Sequence, residues 1–133
     1  MKLGLFINTQ FPEGFSLAER IPELVAQVRA ARDAGFASLW FPHHWLTQPM
    51  QMLQITPLMA YVAAHAQGMT IGPNILILPP LNPVHVSEEA ATMDVLTGGT
   101  TSSVSGWATA RPSSTPLASA SASGCRGSMK ALP

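Results

Sequence analysis

The chain has 133 residues, with seven basic side chains against seven acidic ones and one cysteine. That length suffices for one small domain with a core. The charge balance excludes a global attraction to nucleic acid or to a membrane surface, and Cys125 alone excludes an intrachain disulfide framework. No run approaches the ~20 apolar residues of a membrane span, and the start is too short in apolar residues for a signal peptide, so a cytoplasmic protein is expected.

The averages hide a break. All seven acids lie at or before Asp94, and residues 100–133 contain no Asp, Glu, Ile or Phe. Two regions are therefore expected: a globular part over 1–99, and a Ser/Ala/Thr/Pro-rich tail over 100–133 that is expected to be disordered.

Leu3 to Ile7 is nearly all apolar and predicts a strand buried on both faces. Asn8, Thr9 and Gln10 end it, and Phe11–Phe15 reads as loop. Ser16 and Glu19 match a capping box at a helix start. Pro22 leaves two possibilities, a helix from Ser16 or a short turn followed by a helix with Pro22 in its first turn. Ile21, Leu24, Val25, Val28 and Ala31 share one helical face, and Gly35 stands where a helix ends.

Leu39-Trp-Phe41 is a second strand, which Pro42 stops because proline has no N–H for a sheet ladder. His43 and His44 follow at once. Thr56 with Pro57 predicts a helix cap, and the helix runs to about Gln67 before Gly68. Ile71–Leu78 is a third strand, with Gly72 and Pro73 confining its regular pairing to 74–78. Asn82-Pro83 starts a third helix, with Val84, Ala91 and Val95 as inward candidates, and Gly98-Gly99 closes it. Strand–helix alternation argues for an α/β fold with a parallel sheet, whose ligands gather at the carboxyl ends of the strands.

Several residues at those ends could carry chemistry. His43 and His44 could exchange protons, or one could pack on Trp45 while the other bonds backbone. No ligand-spaced motif accompanies them, so no metal is expected. Asn74, polar inside an apolar strand, could meet a ligand or serve the turn after Pro73. Met50, Met52 and Met59 read as core or pocket wall. His65 and His85 read as surface or capping residues, and Glu88 and Glu89 as favourable charges in the first turns of a helix.

Four blocks together resemble the bacterial-luciferase-like flavin oxidoreductases: Met1–Phe6, Ala34–His44, Ile71–Pro79 and Asn82–Gly99. The resemblance implies the first three units of a TIM (β/α)8 barrel. It implies reduced flavin (FMN), or a deazaflavin in sister groups, acting with dioxygen on a small organic molecule in a homo-oligomeric parent protein. It places catalysis at His43 with His44 beside it. It places cofactor contacts at Asn8, Asn74 and Ile75, with the Asn74–Ile75 peptide in a non-prolyl cis form. The family often has Glu before the two histidines, where this chain has Pro42. It also continues after Gly99 with Arg, a fourth strand and a glycine-rich phosphate turn, none of which is legible here. Residues 105–119 can, however, be back-translated into codons that read GLGYRPAEFDAFGV in a shifted frame, the string this family carries there. The tail is thus expected to be the family's own DNA read out of frame, and the chain a truncated form that is inactive by itself.

Overall fold

In the computed structural model, residues 1–106 are described. The expected disorder of the tail beyond Gly106, its out-of-frame origin and Cys125 all fall outside the described residues. In chain order the elements are β1 (Gly4–Phe6), β2 (Gln10–Phe11), α1 (Leu17–Asp33), β3 (Ser38–Phe41), β4 (Gln51–Met52), α2 (Ile55–Ala63), β5 (Thr70–Ile77), α3 (Pro83–Thr97) and β6 (Val104–Gly106). β1, β3, β5 and β6 form one parallel sheet in that order, while β2 and β4 pair as a small antiparallel ribbon beside it.

The register sets the two faces of the sheet. Leu5, Leu39 and Ile71 stand in one row across β1, β3 and β5, and Phe6, Trp40 and Gly72 in the next. Successive strand residues point to opposite sides. The Leu39 side joins the core, with Ile7 just past β1, Phe41 from β3, Leu24 and Val28 from α1, and Leu58, Met59 and Val62 from α2. The Phe6 side is open, and Phe6 itself is half exposed. The prediction that the first strand is buried on both faces therefore fails. A parallel strand is covered twice only when elements lie on both sides of its sheet.

α1 presents the expected face, with Leu24, Val28 and Ala31 buried and Ile21 and Val25 packed against them. It is one helix from Leu17, so Pro22 lies beyond the first turn and leaves the Ala18 carbonyl without its helical donor. The capping box does not form, since the Ser16 side chain makes no cap bond. Arg20 instead bridges to both carboxylate oxygens of Glu23 at 2.8 Å and lies over the Phe15 ring.

α2 begins at Ile55 with Gln54 at its N-cap, not at Thr56. α3 is capped as predicted, the Asn82 Oδ1 accepting from the Val84 N–H at 2.9 Å, and it ends at Gly98, whose φ of 66° suits a residue without Cβ. Its inward face differs from the expectation. Val84 and Val95 are 70% and 81% exposed and Ala91 is exposed, while Met93 is buried with Val86 and Glu89 partly covered beside it. The helix is rotated to set Glu89 against α2, where the Thr56 hydroxyl donates to it.

β5 extends back to Thr70, and Pro73 pairs in register with Phe41. The Thr70 N–H donates to Ala37 on the β3 side and the Ile71 N–H to Thr100 on the other. By alternation the donor that Pro73 lacks would have faced β6, so the β3 ladder survives. The β6 ladder is the irregular one, with a shift between Asn74 and Leu76.

The expected boundary after Gly99 does not mark the end of regular structure. Ser102 donates to the Ile71 carbonyl, Thr101 bridges Ile71, and β6 is a fourth parallel strand that the residue pattern did not predict. A Cβ on Gly72 would stand 1.7 Å from the Ser102 carbonyl oxygen, so only glycine admits this segment so close.

Candidate functional site

The carboxyl ends of β1, β3 and β5 carry the predicted residues, but the structure commits them differently. At the end of β1, Asn8 folds onto its own chain. Its Oδ1 accepts from the Gln10 N–H and its Nδ2 donates to the Gln10 carbonyl, both at 3.1 Å. This turn carries the chain into β2 and occupies the amide that was expected to meet a cofactor. Next to it the Thr9 hydroxyl is sealed from solvent without a partner among the described residues.

Pro42 and His43 follow β3 into the interior, whereas His44 returns to the surface. The His43 Nδ1 accepts from the Ile77 N–H at 3.1 Å, and its ring meets Trp45 edge-on with centroids 5.0 Å apart. Burial, and secondarily the neighbouring His44, push its pKa below the ordinary 6.5. His43 is therefore neutral at neutral pH, its proton sits on Nε2, and it ties the end of β3 to β5. Both contacts that the packing reading divided between the two histidines fall on His43, which packs on Trp45 and bonds backbone, while His44 is exposed.

On β5 the Asn74–Ile75 peptide is cis. Asn74 and Ile75 are exposed, and the Asn74 amide has no hydrogen-bond partner among the described residues. Asn74 lies two residues beyond Gly72, which pairs with Trp40 across the open face.

Behind the sheet lies a cavity of about 300 Å³ between β5, α2 and α3. His43, Thr56, His85 and Glu89 contribute its polar wall. The Glu89 Oε1 is 3.0 Å from the His85 Nε2, and its Oε2 accepts from the Thr56 hydroxyl at 3.0 Å. Sequence reasoning gave Glu89 only a helix-dipole role. The signal that could have found it is the i,i+4 spacing of His85 and Glu89. Met59 lines this cavity, as a pocket-wall methionine was expected to. His65 stays peripheral, 3.3 Å from the Arg29 guanidinium. Among the described residues no group of three or more His, Cys, Asp or Glu is placed to hold a metal, and no helix is long and apolar enough to cross a membrane.

Comparison with known proteins gives consistent matches. A family model described as luciferase-like monooxygenase matches residues 1–101. The alkanal monooxygenase alpha chain of Photorhabdus laumondii subsp. laumondii is 27% identical over 99 residues, covering 74% of this chain and 28% of that protein. Among solved structures, the oxygenating constituent of 3,6-diketocamphane monooxygenase from Pseudomonas putida, in complex with FMN, superposes with a TM-score of 0.70 at 17% identity, covering 83% of this chain and 30% of that one. An F420-dependent secondary alcohol dehydrogenase in complex with an F420–acetone adduct gives 0.62 at 21%, covering 78% and 31%. These similarities in structure establish the fold, and the chain spans under a third of the length of each protein named here.

Proposed function

Because the chain belongs to the luciferase-like monooxygenase family, we propose that it carries the first three β/α units, and the entry to a fourth, of a barrel enzyme that oxidises a small organic substrate with reduced flavin and dioxygen. The observation that carries this reading is the open face of the sheet. Half-buried Trp40 and exposed Phe6 offer a flat apolar surface, and the unpartnered Asn74 amide lies at its carboxyl end. Such a surface fits the ring of FMN, or equally that of a deazaflavin.

The phosphate is not matched in the same way. Among the described residues Arg20 pairs with Glu23, Arg32 with Asp33, and Arg29 lies against His65. Lys2 precedes β1, at the opposite end of the sheet. Bound reduced flavin supplies the electrons that dioxygen takes up. In this reading Asn74 and Ile75 border the ring, His44 gives or takes a proton at the solvent-facing end, and His43 positions the strand ends. The substrate is a small organic molecule, and the parent enzyme is a homo-oligomer.

Titrating the 133-residue chain with FMN and following flavin fluorescence tests this reading. The expected result is weak binding, without saturation at micromolar FMN, and no substrate oxidation by this chain alone. Tight binding would refute the statement that these residues lack the phosphate half of the site. The tail is part of the same proposal, as family DNA translated out of frame. Resequencing of the coding DNA that gives the present frame in every read would overturn that part.

A further inference from the structure

We propose that two copies of this chain associate through the open faces and free edges of their sheets, β6 of each copy continuing into β1 of the other, to close a single eight-stranded barrel. Closure rests on the barrel reading proposed above. Among the described strands β1 pairs only with β3 and β6 only with β5, so each sheet has two free edges. The Leu3 carbonyl accepts from Ala37 and the Ile7 N–H donates to Trp40. By alternation the backbone polar groups of Gly4 and Phe6 point the other way, out of the free edge. Such an edge is a template for a strand of another chain.

Direction and number select a second copy. All four strands run parallel, so β6 of one copy meets β1 of another without reversal. A contact between unlike surfaces repeats indefinitely unless its rotation closes. Four strands per copy close at two copies, because eight parallel strands leave an interior that side chains just fill. The open face suits such an interior. Gly4, Phe6, Ser38, Trp40, Gly72 and Asn74 bear no charge, so identical faces meet without repulsion. The Trp40 Nε1 donates to the Ser38 hydroxyl at 2.9 Å. A Cβ on Gly4 would stand 2.9 Å from that Nε1, and one on Gly72 3.1 Å from the Trp40 Cζ3. Two glycines thus let the indole lie flat across three strands, as one broad apolar plate. The two-fold axis of the pair sets a second plate opposite the first and brings two Asn74 amides to the same mouth.

Sedimentation equilibrium of the full chain over a wide concentration range, with amide exchange at the concentrated end, tests this. The expected result is a limiting mass of twice 14.1 kDa, with the Gly4 and Phe6 amides protected in the dimer and exchanging on dilution. Dilution restores the open face, which is the state that dilute unfolding measurements read. Phe6→Lys, which charges the open face, should give a folded monomer at every concentration. Val95→Lys, on the exposed side of α3, should leave the dimer unchanged. If Phe6→Lys fails to fold, the exchange of the Gly4 and Phe6 amides in the wild-type chain still decides the matter. A monomer at every concentration overturns the proposal and leaves the family reading and its flavin titration standing. A dimer lost in Val95→Lys, a dimer with unprotected Gly4 and Phe6 amides, or assemblies that grow beyond two copies also overturn it.

Discussion

The two faces of the parallel sheet are built from the same strands, yet they obey different rules. On the helix side, Leu39, Phe41 and Ile71 are almost wholly buried under α1 and α2. On the other side, Phe6 and Asn74 are exposed and Trp40 is only partly covered. One residue of alternation separates a side chain that holds the fold together from one that waits for a partner. Burial and exposure are thus divided between odd and even positions of the same strands.

Truncation of one residue from each face tests this division most strongly. Phe41→Ala should cost about 3–5 kcal/mol, the usual loss for a buried aromatic side chain, whereas Phe6→Ala should cost under about 1 kcal/mol; urea unfolding of both variants reads the difference. Comparable losses would mean that the open face is covered in solution. Gly72→Ala probes the seam between the faces. The added methyl must displace the Ser102 backbone, so a loss of about 1–3 kcal/mol is expected, with amide exchange accelerated at Ile71 and Ser102 before other sites.

His43 gives a pH signature confined to the helix side. Its folded pKa lies below 6.5 and its unfolded value near it, so between the two the unfolded chain binds more protons. Its contribution is complete above pH 6.5 and declines as pH falls toward the folded value. Denaturant midpoints of the wild-type chain should therefore drop over that interval more than those of His43→Phe, and parallel profiles would contradict the buried neutral ring. The smallest effect is expected at the α3 cap, where Asn82→Ala should cost about 1 kcal/mol by thermal unfolding.

What the sequence revealed follows the same division. The apolar face of α1, the stop at Pro42, the Asn82 cap and the Gly98 terminus each depend on local chemistry, and each was legible. The rotation of α3 was not, because Val84 and Val95 satisfy an apolar pattern as well as Met93 does, and only the tertiary contacts, Met93 in the core and Glu89 against Thr56 of α2, distinguish them. Asn8 was read as a cofactor contact from the resemblance, and the turn that its amide makes with Gln10 was not legible. The histidine pair follows β3, as its place after Pro42 implied, while the difference in burial between His43 and His44 goes with the Ile77 N–H, 34 positions away in the chain. β6 was missed because side chains were read for strand propensity, whereas a strand at the edge of a parallel sheet is recruited by backbone groups.

That recruitment bears on how the protein is made. The sheet order β1, β3, β5, β6 follows the order of synthesis, so each new strand can dock on the one just finished as the chain leaves the ribosome. The growing edge is blind to side-chain identity and takes whatever extended backbone arrives next. The other edge, β1, pairs with β3 alone among the described strands. Later strands can therefore be added on the β6 side without disturbing the pairing already made between β1, β3 and β5.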